Sequence, residues 1–99
     1  MLAVVNANQM AQAALNIKVY PNPIKAGNAL NLEMDIPSSE ELVINLVNMS
    51  GANVYHNESH VGSGIQTKEI NLAGNLKPGI YVLNVIYQGK ATSEKIYIQ

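Results

Sequence analysis

The feature that most constrains the fold is a rhythm of short apolar runs that begins at Ile17. Pro, Gly, Asn and Ser interrupt these runs at intervals of roughly 8 to 12 residues, which is typical of a β-sandwich or small barrel. Apolar residues do not recur at the spacing of a helix over any long stretch of this part of the chain. All five aromatic residues are Tyr, so Leu, Ile and Val must fill the core, and the β-branched members of that group favour strands.

The clearest predicted strand is Ala29 to Ile36, in which apolar and polar residues alternate. Its inward residues are expected to be Leu30, Leu32, Met34 and Ile36. Pro37 ends this strand. An earlier strand, Ile17 to Tyr20, ends where Pro21 and Pro23 remove two hydrogen-bond donors.

The middle of the chain predicts a hairpin and one more strand. Leu42 to Val47 and Asn53 to His56 are the paired strands, and Ser50-Gly51 supplies the turn. The segment ESHVGSGIQ, residues 58–66, is rich in Gly and Ser and is expected to be a mobile loop. Thr67 to Leu72 is the next predicted strand.

The chain closes on a second predicted hairpin, Tyr81 to Tyr87 and Thr92 to Ile98, turned at residues 88–90. Ile96 and Ile98 are expected to face inward and Lys95 and Tyr97 outward. Because the sequence stops within a sheet, its C-terminal end is expected to be the functional part. About seven antiparallel strands without a covering helix predict an all-β fold, a sandwich of two packed sheets whose connectivity stays open.

Length and composition narrow the function classes. The 99 residues allow one core; residues 17–99 are the predicted domain, and residues 1–16 are interpreted as a linker or cloning remnant. The net charge is -1 with dispersed Lys residues, which argues against nucleic acid. The chain has no Cys and therefore no disulfide or thiolate metal site. No segment approaches the ~20 apolar residues needed to span a bilayer.

Candidate chemistry is sparse. His56 and His60 lie four residues apart with Glu58 between them, but that region is interpreted as strand end and loop, and the spacing suits a metal only on a helix. No nucleophile elbow is present, because the chain lacks a Gly-x-Ser-x-Gly motif. We therefore expect no catalytic residue, no metal, no cofactor and no enzymatic activity.

Four stretches occur in a characteristic order: VYPNP at 19–23, LVNMSGANVY at 46–55, LKPGIYVLNV at 76–85 and SEKIYIQ at 93–99. No single stretch is specific, but together they span residues 17–99. The ordered set resembles the type A C-terminal sorting domain of the type IX (Por) secretion system of Bacteroidetes.

The resemblance implies a seven-stranded immunoglobulin-like β-sandwich that acts as a folded export signal and not as a catalyst. Cargo fused on its N-terminal side would pass through the periplasm and cross the outer membrane by the type IX translocon. A sortase-like peptidase would then remove the domain, leaving the cargo secreted or at the cell surface. Such domains normally follow a large enzyme or adhesin, so the chain is interpreted as an excised domain or truncated reading frame, with a free-standing relative as the alternative.

The matched motif residues have a structural interpretation. They are Tyr20, Pro21, Asn22, Pro23, Pro78, Gly79 and Tyr81. Pro78-Gly79 would make the turn into the next strand, and the Tyr81 ring would pack while its hydroxyl bonds to the backbone, as in a tyrosine corner.

The terminal residues carry the recognition hypothesis. These residues are Lys95, Ile96, Tyr97, Ile98 and Gln99. A final strand would offer unpaired backbone groups, so the translocon could read it by strand addition with Lys95 as a polar contact. A purely structural role for the same residues stays open. Small residues at 6–14 could lie in a peptidase cleft or form a plain spacer.

The alternative function is an immunoglobulin-like adhesion or glycan-binding module of a secreted or surface protein. Such a module would need exposed aromatic side chains on one face, which Tyr20, Tyr55, Tyr87 and Tyr97 could supply. A calcium-binding version is disfavoured because Asp35 is the only Asp. Sandwich edges can also pair, so a weak homodimer through the first or last strand is a further expectation.

Overall fold

The computed structural model describes residues 15–99, which form seven strands in two antiparallel sheets. The strands are β1 Ile17–Tyr20, β2 Ala29–Ile36, β3 Glu40–Val47, β4 Asn53–Val61, β5 Gly64–Asn71, β6 Gly79–Tyr87 and β7 Lys90–Ile98. One sheet has the order β1-β2-β5 and the other β4-β3-β6-β7. This is an all-β, immunoglobulin-like sandwich, and the predicted fold class is confirmed.

The core lies between the two sheets and is built from the predicted alternation. Leu30, Leu32, Met34 and Ile36 of β2 are buried. The facing sheet contributes Leu42, Ile44 and Leu46 of β3 and Leu83 and Val85 of β6. Because alternate residues of a strand point to opposite faces, these inward sets bury one face of each sheet. The alternation in β2 was therefore sufficient to predict the four side chains that this strand contributes to the core.

The predicted mobile loop at residues 58–66 is wrong. β4 continues to Val61 and β5 begins at Gly64, so only Gly62 and Ser63 separate the two strands. β4 pairs with β3 along its whole length, and β5 pairs with β2 from Gly64 onward. Both strands lie at sheet edges, where pairing with a strong neighbour can order a polar segment against its own low strand propensity. The strand predicted at Thr67 to Leu72 starts earlier for the same reason.

The C-terminal hairpin is confirmed, with a tighter turn than expected. Tyr87 pairs directly with Lys90, so Gln88 and Gly89 form a two-residue loop. Their φ angles are 53° and 76°. Positive φ at both central positions matches a type I′ turn, whose twist agrees with that of the flanking strands. This turn sets the register of β7 against β6.

The N-terminal side of the sandwich includes two residues that the sequence places in the linker. Leu15 is buried in the core, and the Asn16 carbonyl accepts a hydrogen bond from the Asp35 amide at 3.4 Å. The rest of the predicted linker, residues 1–14, lies outside the described residues. Among residues 15–99 no helix has the length and apolar character required to cross a bilayer.

Candidate recognition site at the end of the last strand

The end of β7 is bordered by the segment that follows β1. Ile24 forms a parallel bridge with Ile98. The Ile24 amide donates to the Tyr97 carbonyl at 2.9 Å, and the Gln99 amide donates to the Ile24 carbonyl at 2.8 Å. The segment from Asn22 to Ile24 therefore pairs with the outer edge of the last strand.

Asn22 extends this pairing with its side chain. Its Nδ2 donates to the Lys95 carbonyl at 2.9 Å, and its Oδ1 accepts from the Tyr97 amide at 2.9 Å. The amide group thus substitutes for one peptide unit of a neighbouring strand. We call the segment Asn22–Pro23–Ile24 the edge clamp, because it bonds to four backbone groups along the outer edge of β7 and of Gln99, which follows it. This gives the Pro-Asn-Pro motif a structural role.

The edge clamp corrects one premise of the recognition hypothesis. The sequence suggested that residues 95–99 offer unpaired backbone groups, but the Lys95 carbonyl, both polar backbone groups of Tyr97 and the Gln99 amide are already bonded. The reason is tertiary: β1 and β7 belong to different sheets, and the chain after β1 crosses to the edge of the other sheet. Strand addition at this position would require the edge clamp to leave.

The five predicted recognition residues divide into two groups. Ile96 and Ile98 are 0% and 3% exposed and belong to the core. Lys95 and Gln99 are exposed, and Tyr97 is 45% exposed on the outer face of the four-stranded sheet. Only the second group is accessible to a partner while the domain is folded.

The turn into β6 has the arrangement that the sequence predicts. Tyr81 is 6% exposed, and its hydroxyl donates to the Lys77 carbonyl at 2.7 Å, four residues upstream. This is the geometry of a tyrosine corner, in which a buried ring fixes the chain entering its strand. Gly79 has φ 152°, a conformation that residues with a Cβ rarely adopt. Pro78-Gly79 and Tyr81 therefore hold the start of β6 opposite the end of β7.

Tyr87 has a structural role that the sequence analysis missed. Its hydroxyl donates to the Ser38 carbonyl at 2.7 Å and accepts from the Ser38 amide at 3.0 Å, which ties β6 to the β2-β3 connection. The sequence did carry a signal for this inward position. Tyr87 alternates with Tyr81, Leu83 and Val85, and all four share the inward face of β6.

The four tyrosines proposed for glycan binding do not form one aromatic surface. Tyr87 is only 7% exposed, and Tyr55 lies opposite Leu46 on the inner face. Tyr20 pairs with Asn31 on the outer face of the three-stranded sheet, whereas Tyr97 lies on the outer face of the other sheet. The adhesion or glycan-binding alternative is therefore not favoured.

The two histidines lie on a strand and not in a loop. His56 contacts Asn45 Oδ1 through Nδ1 and Glu58 Oε2 through Nε2, the latter at 2.9 Å, while His60 lies 3.5 Å from Glu41. Four residues of extended chain span ~13 Å, so each imidazole interacts with its own neighbours. Among residues 15–99 there is no group of three or more His, Cys, Asp or Glu side chains that could hold a metal ion.

Comparison with solved structures agrees with this architecture. The chain is similar to part of PorZ, an essential bacterial surface component of the type IX secretion system of Porphyromonas gingivalis, with 14% identity and a TM-score of 0.58. It is also similar to part of a β-glucosidase from Listeria innocua, with 14% identity and a TM-score of 0.51. The matches cover 85% and 86% of this chain but only 11% and 16% of those proteins. At this identity the likeness shows the fold alone.

Sequence comparison with protein families is more specific. No curated protein matches the sequence. A family model described as "Secretion system C-terminal sorting domain" matches residues 18–99, which includes all seven strands except the first residue of β1, and both the edge clamp and the tyrosine corner. The chain therefore belongs to the family of secretion system C-terminal sorting domains, the type IX sorting domains that the sequence resembles.

Proposed function

We propose that this domain directs cargo fused to its N-terminal side across the outer membrane, and that the intact sandwich is the signal that the type IX machinery binds. Its role as a secretion signal of the type IX system follows from the family match over residues 18–99. The family is one of sorting signals and not of enzymes, and its members mark secreted or cell-surface proteins. We further propose that the chain itself has no catalytic activity and that the exported protein passes through the periplasm.

The observation that carries the proposal is the construction of the C-terminal strand. β7 buries Ile96 and Ile98 and is held at its edge by the edge clamp, while Lys95, Tyr97 and Gln99 stay exposed. The last strand is therefore part of the folded body and at the same time presents side chains to the outside. This supports recognition of side chains on a formed domain by the translocon.

The second proposed partner is a sortase-like peptidase. Cleavage would release the cargo from an intact sorting domain only if the cut falls before Leu15, because Leu15 is 8% exposed and belongs to the core. The small residues at 6–14, which lie outside the described residues, are our proposed region for the cut. Sequencing the N-terminus of the released domain tests this; a cut after Leu15 or any later residue would contradict it, because it would remove a core residue.

The experiment that tests the function fuses the whole chain to the C-terminus of a fluorescent protein that folds in the periplasm and carries an N-terminal signal for export across the inner membrane, in a type IX-competent bacterium. We expect fluorescence at the cell surface or in the medium, and retention of the fusion inside the cell in a secretion mutant. Export that persists in the secretion mutant, or retention in the parent strain, would refute the proposal.

Truncation is a poor test of recognition in this domain. Deleting residues 96–99 removes Ile96 and Ile98 from the core and also removes the partners of the edge clamp. The loss of two buried isoleucines costs several kcal/mol, so failure of export would reflect unfolding as much as lost recognition. Substitutions at outward positions separate the two effects.

We also propose a weak homodimer, with a smaller pairing surface than the sequence suggested. The edge clamp occupies β7 from Lys95 to Gln99, and β1 has only four residues. Pairing through the last strand would therefore be restricted to its first half, Lys90 to Glu94. Sedimentation of the purified chain over a range of concentrations tests this, and a species that stays monomeric at millimolar concentration would exclude it.

A further inference from the structure

Five outward side chains lie together where β7 ends. The strand register pairs Val47 of β3 with Val82 of β6, and Val82 with Lys95 of β7; in the next row Ile80 pairs with Tyr97. Cross-strand partners on one face have Cβ atoms ~5 Å apart, so these side chains are immediate neighbours. We call Val47, Ile80, Val82, Lys95 and Tyr97 the terminal patch.

The terminal patch is apolar and open to solvent. Ile80 is 39% exposed and Tyr97 is 45% exposed, and the two valines are half-buried. These are two of only five large hydrophobic side chains that are exposed among residues 15–99. A contiguous group of exposed apolar side chains around a charge is a common feature of interaction sites.

A polar row borders the terminal patch. Asn45, Asn84 and Ser93 cross three strands in register, and Ser93 Oγ bonds to Asn84 Oδ1 at 2.6 Å while Asn45 Oδ1 contacts His56. Because each of these side chains has a partner within the domain, the row does not depend on an outside ligand. On the far side of the row lies a second apolar pair, Val43 and Ile86, which offers a matched comparison.

Charge distinguishes the two ends of this outer face. Lys95 lies within the terminal patch, and Lys25 follows the edge clamp at the same end of the sandwich. Beside Val43 and Ile86 at the other end, Glu40 and Glu41 border the surface. The terminal patch thus contains one Lys and no carboxylate, whereas Val43 at the other end has Glu58 as its cross-strand partner and Glu41 nearby.

This chemistry favours a protein partner over a membrane. The chain has a net charge of -1, and one exposed Lys within the patch contributes only about 1 kcal/mol at an anionic lipid surface. A protein surface with an apolar pocket and carboxylates at its margin complements both the side chains and the charge. The edge clamp already bonds to the backbone edge at the end of β7, so a partner can contact only the outward side chains there. This also favours a protein partner.

We propose that the terminal patch is the docking surface of the folded domain, and that it binds an apolar pocket with acidic residues on a protein of the translocation machinery. This inference rests on the proposed export function. It adds Ile80 and Val82 of the preceding strand β6 and Val47 of the more distant strand β3 to the outward residues of the last strand. The partner therefore reads a composite surface that exists only when the sandwich is folded.

The test measures surface display of the fluorescent fusion carrying the full chain. The I80S/Y97S double variant and the K95E variant alter the terminal patch. V43S/I86S is the matched control at the opposite end of the same face, and K90E, at the exposed start of β7 and off that face, controls for charge reversal elsewhere on the strand. We expect each patch variant to lower display by about tenfold or more, the effect of losing one central contact of an interface. The controls should remain near the parent value. Thermal unfolding of each purified chain accompanies the assay, and K95E keeps the test valid if I80S/Y97S does not fold.

The outcomes separate this inference from the proposed function. Normal display of folded I80S/Y97S or of K95E would overturn the terminal patch while leaving export by the parent chain intact. Equal loss in the control variants would also overturn it. If the parent chain floats with vesicles containing phosphatidylglycerol and I80S/Y97S does not, the patch binds lipid and the protein-docking proposal is wrong. Failure of the parent chain to be exported would instead refute the proposed function.

Discussion

Replacing Asn22 with Ala should release the last strand from the edge clamp. The Asn22 side chain makes two hydrogen bonds of 2.9 Å, one to the Lys95 carbonyl and one from the Tyr97 amide. A hydrogen bond contributes a net ~0.5–1.5 kcal/mol, and both of these are solvent-exposed, so we expect the free energy of unfolding to fall by about 1–2 kcal/mol. The two backbone bonds of Ile24 to the same edge should weaken with them.

Urea unfolding followed by far-ultraviolet circular dichroism measures this loss. For a domain of this size, with an m value of about 1–3 kcal/mol per molar urea, the midpoint should fall by about 0.5–1 M. Hydrogen exchange gives the local readout, because the Tyr97 amide loses its acceptor and should exchange faster in Asn22→Ala. Asn22→Asp should be similarly destabilised, since it keeps an acceptor for Tyr97 but places an oxygen against the Lys95 carbonyl.

Asn75→Ala is the matched control for Asn22→Ala. Asn75 is exposed, and among the described residues its side chain makes no hydrogen bond. Its midpoint and its Tyr97 exchange rate should equal those of the parent chain. An Asn22→Ala variant with an unchanged midpoint and an unchanged Tyr97 exchange rate would refute the reasoning that the Pro-Asn-Pro motif stabilises the last strand.

Three further predictions concern tyrosines and the final turn. Tyr81→Ala should lower the free energy of unfolding by ~3 kcal/mol or more through loss of a buried ring, and an unchanged melting temperature would contradict the tyrosine corner. Tyr87→Phe should cost about 1–2 kcal/mol because the amide, carbonyl and Oγ of Ser38 all lose their bonds to the hydroxyl; a chemical denaturation midpoint equal to that of the parent would argue against this tie. Gln88→Asn should stabilise the β6-β7 hairpin by about 0.5–1 kcal/mol, since Gln88 has φ 53° and Asn tolerates that region better. A lower melting temperature in Gln88→Asn would show that the turn conformation does not limit stability.

The local pattern predicted most of the fold. The alternation of Leu30, Leu32, Met34 and Ile36 identified a strand and its buried face, and the structure places all four in the core. It failed at residues 58–66, where polar residues form edge strands. Edge strands need few inward apolar side chains, because their order comes from hydrogen bonds to β3 and β2. Because another part of the chain contributes that stabilisation, the sequence of residues 58–66 shows no clear strand pattern of its own.

The candidate site was predicted less completely than the fold. The sequence correctly separated the inward residues Ile96 and Ile98 from the outward Lys95 and Tyr97. It could not show that Asn22, more than 70 residues earlier, bonds to Lys95 and Tyr97. An edge strand is available for pairing only if no other segment reaches it, which is a question of chain path between sheets. The sequence of the last strand therefore suggested an unpaired edge, whereas in the structure the edge clamp bonds to that edge.

The sequence by itself determined the fold class, the inward faces of β2 and β7 and the place of the final turn, because alternation and turn chemistry act between residues close along the chain. Only the tertiary structure decided which strand edges are occupied and which outward side chains become neighbours. Ile80 and Tyr97 meet because β6 and β7 pair in one particular register, and Val47 joins them through β3. Such a surface depends on the register of β6 and β7 and on their pairing with β3, which β4 and β5 separate from them in the sequence, so its residues carry no common signal in the linear sequence.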